Sequence, residues 1–230
     1  MDPPTHGLLG AALGQALFGR TLGRRALAWG AFGAMLPDVD VVMNATGPMA
    51  EWLYHRGPTH ALWVPPLVGT LLGTALGRAR QRSDPERAGP IAHWRWLFVL
   101  TLLSHPLLDA GTSYGTVLFA PFWNHRFAIE AIAIVDPLFS LLFVMALLVG
   151  LVKGVGSREA RVAGGVAFAL ATAYLAYGLR LSHEAESRAR AQLAEDGIRA
   201  TRVDAYHAPL QLYLHRLVAR AADGERAHLQ

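Results

Sequence analysis

The stretch that decides the fold is Ala131-Ile-Ala-Ile-Val-Asp136-Pro-Leu-Phe-Ser-Leu-Leu-Phe-Val-Met-Ala-Leu-Leu-Val-Gly-Leu-Val152. It holds one ionisable residue in 22 positions. A helix crossing the hydrocarbon core needs about 20 apolar residues, so 131–152 predicts a membrane-spanning helix. Asp136 lies near one end of it. Five further apolar segments flank this one, at 7–19, 26–36, 61–77, 96–110 and 162–179. By length 61–77 and 162–179 also qualify as spans, and 96–110 is marginal. The first two are too short to span alone and are rich in Gly and Ala, which lets helices approach closely in lipid.

Composition agrees with a membrane setting. Of 230 residues 53% are hydrophobic and 17% charged, against about 25% charged in an ordinary soluble domain, and the mean hydropathy is +0.27. There is no cysteine, which excludes disulfides and thiolate metal sites. The start, MDPPTHGLLGAALG, lacks the basic stretch of a cleavable signal peptide. The formal charge is +4, but the distribution of basic residues carries more meaning than their sum. Connections 20–25, 78–95 and 153–161 hold eleven Lys and Arg, whereas 37–60 and 111–130 hold only Arg56 and Arg126. The positive-inside rule puts the first group in the cytoplasm and the second on the far side. The tail, 180–230, falls on that far side with eight more basic residues, which argues against the assignment, though long segments obey the rule poorly. No nucleic-acid partner is expected.

The ionisable residues sort to one membrane face. His6 precedes the first segment; Asp38 and Asp40, in Leu-Pro-Asp-Val-Asp, follow the second; His55, Arg56, Thr59 and His60 precede the third; His105 and Asp109 close the fourth; and Asp136 opens the fifth. His105 and Asp109 stand at i and i+4, one helical face, where both can meet one ion. His55 and His60 flank Gly57-Pro58, a turn able to fold both rings inward. Imidazole and carboxylate without sulfur suit zinc, with manganese or iron as alternatives. The ligand count suggests two or more ions, which would clamp a phosphoester, with Arg56 as partner for its oxygens. Asp40 or Asp136 is the candidate general base. Plainer readings stand beside these. Asp38, Asp40 and Thr59 are also turn or helix caps, Asp136 is a favourable charge at a helix N-terminus, and His6 is an interfacial residue. His93 and His125 read as loop residues. Trp52, Trp63, Trp94, Trp96 and Trp123 fall where an aromatic belt expects them.

These motifs together resemble a known family. Thr-His-Gly-Leu-Leu-Gly (5–10), Leu-Pro-Asp-Val-Asp (36–40), His-Arg-Gly-Pro-Thr-His (55–60), His-Pro-Leu-Leu-Asp-Ala-Gly-Thr-Ser-Tyr-Gly (105–115), Leu-Phe-Ala-Pro-Phe (118–122) and Val-Asp-Pro-Leu (135–138) are similar, in this order, to bacterial inner-membrane metal-dependent hydrolases. That family is grouped with zinc-dependent phospholipase C and related nucleases. The resemblance implies phosphoester hydrolysis at a zinc cluster, with His6, Asp38, His55, His60, His105 and Asp109 as ligands. Asp40, Arg56 and Asp136 carry over less directly. Longer relatives have a further soluble region beyond the point where this chain stops.

The expectation is thus an all-α, polytopic transmembrane bundle over 1–180 with a metal site at one face, and a polar, amphipathic helical tail over 181–230. Within the tail, LSHEAESRARAQLAEDG reads as a polar helix ending at Gly197, and HAPLQLYLHRLVARAADG as a helix lying on the membrane. The function expected is hydrolysis of a lipid or lipid-linked phosphate in the inner membrane, on the periplasmic face. Two alternatives stand: a metal-binding scaffold without catalysis, and an ion-coupled transporter using the same side chains as a relay. No His-Glu-x-x-His motif supports a metalloprotease.

Overall fold

A computed structural model describes residues 1–40, 56–221 and 226–229. Asp2 starts helix α1 (Pro3–Leu22) by accepting the Thr5 N–H at 3.1 Å, with Pro3 in the first turn. Proline loses nothing there, because that N–H has no intrahelical partner. Gly23, at φ 58°, ends α1 and opens α2 (Arg24–Met35) at once. The two form a tight hairpin. A Cβ at Gly14 would stand 2.1 Å from the Ala26 carbonyl oxygen, and one at Gly10 would stand 2.3 Å from that of Gly30. Only hydrogen fits in such a gap. The second hairpin, α3 (Val64–Ser83) and α4 (Ile91–Ala110), uses the same device, with Gly73 against the Arg95 backbone. The third is α5 (Pro137–Lys153), capped by Asp136, and α6 (Arg158–Glu195), capped by Ser157.

Helix α1 is the common partner, packing on α2, α4, α5 and α6. One cluster, which includes Leu9, Leu108, Phe139 and Phe143, fills the bundle near one end; another, with Phe18, Trp94, Leu97 and Phe98, fills it near the other. Between them Gln15 ties three helices, its side-chain amide donating to the carbonyls of Ala146 at 2.7 Å and Ala160 at 3.2 Å. The basic connections gather at one end. Arg25 donates to Asp84 and to the Arg87 carbonyl, and Gly156 lies against Arg20.

Large apolar side chains face outward along α3, α5 and α6, among them Leu71, Leu141, Leu148, Leu151, Val162 and Leu170. In water such a surface would be a liability; in lipid it faces its own kind of solvent. Among the described residues, one helix, α6, is long and apolar enough to cross a membrane by length and composition, and α5 is a shorter apolar helix of 17 residues. Segments 61–77, from residue 64 on, and 96–110 lie in α3 and α4. Arg78, Arg80 and Arg82 in α3 and His93, His105 and Asp109 in α4 lower the hydropathy of those helices.

The tail corrects one expectation. Residues 162–179 and the polar stretch after them form one helix, α6. Beyond Gly197, at φ 73°, the chain forms an antiparallel sheet rather than a surface helix: β1 (Ala200–His207), β2 (His215–Ala221) and β3 (Arg226–Leu229). The fold is therefore mostly helical, not all-α. The sheet forms because Val203 and Ala219 pair across β1 and β2 and pack on Ala189 and Leu193 of α6. Residues 158–178 of α6 rise about 30 Å, the thickness of the hydrocarbon core. At Gly178 the helix meets the Ala131 backbone, and its remainder carries the sheet beyond the bundle.

Candidate metal centre

Four short pieces of chain deliver the site to the bundle end opposite the basic connections. The first turns of α1 supply His6. A 3-10 turn over 36–40, where Pro37 follows the end of α2, supplies Asp38 and Asp40. The turn Pro58–His60, before α3, supplies His60. The last turns of α4 present His105 and Asp109 on one face.

One donor atom from each of Asp38, His60, His105 and Asp109 lies within 4.8 Å of the others. His105 Nε2 is 3.3 Å from Asp38 Oδ1 and 3.4 Å from Asp109 Oδ2, and His60 Nε2 is 3.5 Å from Asp109 Oδ2. Ligands about 2.0–2.1 Å from a tetrahedral ion stand about 3.3–3.4 Å from each other. The tautomers fit the same reading. His105 Nδ1 contacts the Ala34 carbonyl, so the proton belongs there and Nε2 presents a lone pair to two carboxylates. His60 Nδ1 faces Thr59 Oγ1 at 2.9 Å and Asp40 Oδ2 at 3.3 Å, which likewise turns the Nε2 lone pair towards Asp109. His105 Nε2 and Asp38 Oδ2 are buried without a hydrogen-bond partner among the described residues, and Asp109 Oδ2 faces the Arg56 guanidinium as well as the two histidines. Lone pairs converging in a buried site repel unless a proton or a metal ion sits between them. The donor set therefore fits a divalent ion.

His6 belongs to the group but stands one step back. Its Nε2 lies 3.1 Å from Asp109 Oδ1 and its ring stacks on that of His105 at 3.6 Å. The Met1 amino group also contacts Asp109 Oδ1. Asp40 accepts from Thr59 Oγ1 at 2.7 Å and from the Arg56 N–H at 3.1 Å. It orients His60, as carboxylates behind ligating histidines do. Arg56, 5% exposed, sets Nε 3.0 Å from Asp109 Oδ2 and donates from Nη1 to Thr112 Oγ1 at 3.1 Å. Asp136 stands apart from the four donors. Its Oδ1 accepts the Phe139 N–H, and its Oδ2 accepts the Tyr174 hydroxyl at 2.8 Å, so the helix-cap reading describes it. His55 lies outside the described residues. Sequence reasoning passed over Thr112, Tyr114 and Arg126, although Thr112 and Tyr114 lie inside the quoted 105–115 motif.

A mostly helical chain with an outward apolar surface and a buried His/Asp group at one bundle end is the class these features define. The chain belongs to the YdjM inner membrane protein family, which it matches over residues 1–185. It is also 38% identical over 112 residues to the inner membrane protein YbcI of Escherichia coli strain K12, which covers 48% of this chain and 61% of that relative. The chain thus spans under two thirds of that relative's length. Neither name states an activity, and no solved structure matches the chain.

Proposed function

We propose that the protein is a multi-pass inner-membrane hydrolase that uses a divalent metal ion to cleave a phosphoester of a lipid or lipid-linked phosphate. The observation that carries this reading is the convergence of His105 Nε2, Asp38 and Asp109 within 3.3–3.4 Å in a buried pocket. Asp38, His60, His105 and Asp109 would hold the ion, with zinc favoured and manganese or iron as alternatives. A bound ion of this kind lowers the pKa of water towards neutrality and offsets negative charge on the phosphoryl oxygens. Asp40 keeps His60 in the required tautomer. Arg56 holds a phosphate oxygen and, through Asp109, fixes the substrate relative to the ligands. Asp38 would take the proton of the attacking water; it is the most exposed of the four ligands, at 13% for its side chain. The four donors of this group suffice for one ion.

Placement at the periplasmic face is supported by the gathering of the basic connections at the opposite end of the bundle. A site at the end of an apolar bundle suits a lipid substrate, whose phosphate lies at that depth. The burial of His60, His105 and Asp109, each 0% exposed, also favours a second reading: a closed structural ion in a non-catalytic scaffold. The two separate on a screen of phosphomonoesters, phosphodiesters and phospholipids with purified protein in nanodiscs. The hydrolase reading predicts turnover that His105→Ala abolishes. Turnover that persists in that variant, or metal bound with no turnover on any phosphoester, would remove it.

A further inference from the structure

Arg56 and Arg126 are the two Lys or Arg residues of the site-side connections, and the fold brings both to one ring. The Arg56 guanidinium lies 4.8 Å from the centre of Tyr114, and that of Arg126 lies 5.0 Å from it. The connection 111–130 sets this register. Thr116 and Phe127 exchange backbone bonds at 2.9 Å, which folds Arg126 back beside Tyr114, and the Val117 N–H donates to the Arg56 carbonyl at 3.0 Å. Arg56 is held at φ 57°, a conformation uncommon outside glycine and frequent at functional sites. Arg126 also donates to the Gly115 carbonyl at 3.3 Å.

The three residues make a ladder. Arg126 and Tyr114 are half-buried, Arg56 is buried, and Arg56 touches Asp109 of the metal centre. Two cations on one ring repel each other. Burial and then, opposing the pull of Tyr114, the charge of Arg56 make the cationic form of Arg126 harder to hold than in water. Guanidinium forks match phosphate oxygens in geometry, so an anion reaching this ring meets two of them beside the metal centre.

We infer that Arg126, Tyr114 and Arg56 form an anion subsite that receives the phosphate group of the substrate and leads it to the metal centre. This rests on the hydrolase reading for its substrate class. Arg126 acts in binding and positioning.

The test is calorimetric titration of full-length protein in zwitterionic nanodiscs with inorganic phosphate, and in a second arm with short-chain phosphatidic acid. Wild type is expected to bind at least one of the two; binding only in the second arm assigns the subsite to a lipid headgroup, and binding in the first to free phosphate. Arg126→Gln should weaken binding about tenfold or more, Arg126→Lys should recover part of it, and metal content should stay at the wild-type value in both. Tyr114→Leu should weaken binding several-fold. No binding in either arm, equal binding by Arg126→Gln, or a loss of phosphate binding accompanied by loss of metal would overturn the subsite. Arg126-dependent binding in wild type that carries no metal would instead remove the hydrolase reading and leave the subsite standing.

Discussion

His6 with His105 and His207 with His215 are two pairs of neighbouring histidines among the described residues, and they are built for different ends. His6 and His105 stack at 3.6 Å at the end of the bundle, and the atoms around them are carboxylate oxygens. His207 and His215 approach at 4.5 Å where the sheet joins α6. There His207 meets the Ser182 hydroxyl at 3.0 Å through Nε2 and the Leu212 carbonyl at 3.1 Å through Nδ1, and Ser182 also donates to the Glu130 carbonyl at 2.7 Å. The difference teaches that buried histidine alone does not make a ligand site. In the second pair a hydroxyl and a carbonyl complement the ring, so it works as a staple between the 111–136 connection, α6 and the sheet. In the first, lone pairs face carboxylates, and only a proton or a metal ion reconciles them.

The comparison breaks most sharply at Asp109. Asp109→Ala removes the carboxylate that faces Arg56, His6, His60 and His105 at once. Leaving a buried guanidinium uncompensated costs about 3–5 kcal/mol, so thermal unfolding should shift strongly downward and bound metal should vanish. A variant of near wild-type stability that still holds metal would contradict the site as drawn. Asp40→Asn keeps the shape behind His60 but weakens its orientation. Metal affinity, read by competition with a chelating dye, should fall about 10–100-fold with the fold intact. His207→Ala should cost about 1 kcal/mol from its lost hydrogen bonds and leave metal content unchanged. If it strips the metal, the two histidine pairs are not the separate devices described.

The smallest effect is a pH dependence of the sheet joint. Burial, followed by the negative charges of Asp204 and Glu186, pushes the Glu130 carboxyl up to about 7 from an ordinary 4.5. A raised folded value means that its contribution is full below about 4.5 and is lost as pH rises through about 7. His207 runs the other way. Burial first, then the neighbouring His215, lowers it from 6.5, so its contribution is full above about 6.5 and fades as pH falls. Corrected for the intrinsic pH dependence of exchange, protection of the β1 amides should therefore fall as pH rises towards about 7 in wild type, and Glu130→Gln should flatten that fall. Identical profiles for the two proteins would exclude Glu130 as the cause.

The bundle and much of its site were legible in the sequence for a physical reason: their signals are local. His105 and Asp109 share a face because they are four residues apart on a helix. Pro37 and Gly57-Pro58 mark the turns that bring Asp38 and His60 to the same end. The roles of Asp40 and Asp136 were not legible, because both are acids beside apolar helices and only their partners, His60 with Thr59 and Phe139 with Tyr174, tell them apart. The sheet was hidden for another reason. HAPLQLYLHRLVAR carries a helix-like apolar spacing, and strand β1 (Ala200–His207) is short. What fixes these residues as strands is their pairing and the packing of Val203 and Ala219 on Ala189 and Leu193, contacts that no local window contains. Arg126 was passed over likewise, as a single basic residue in a polar connection until Tyr114 and Arg56 are placed beside it.

The measurement that tests the central claim most directly is elemental analysis of detergent-purified protein, wild type beside the double variant His60→Ala with His105→Ala. The account predicts at least one zinc, manganese or iron ion per wild-type chain, lost in the double variant while the helical circular dichroism persists. A folded wild type with no bound metal, or a double variant that keeps its metal, would contradict it.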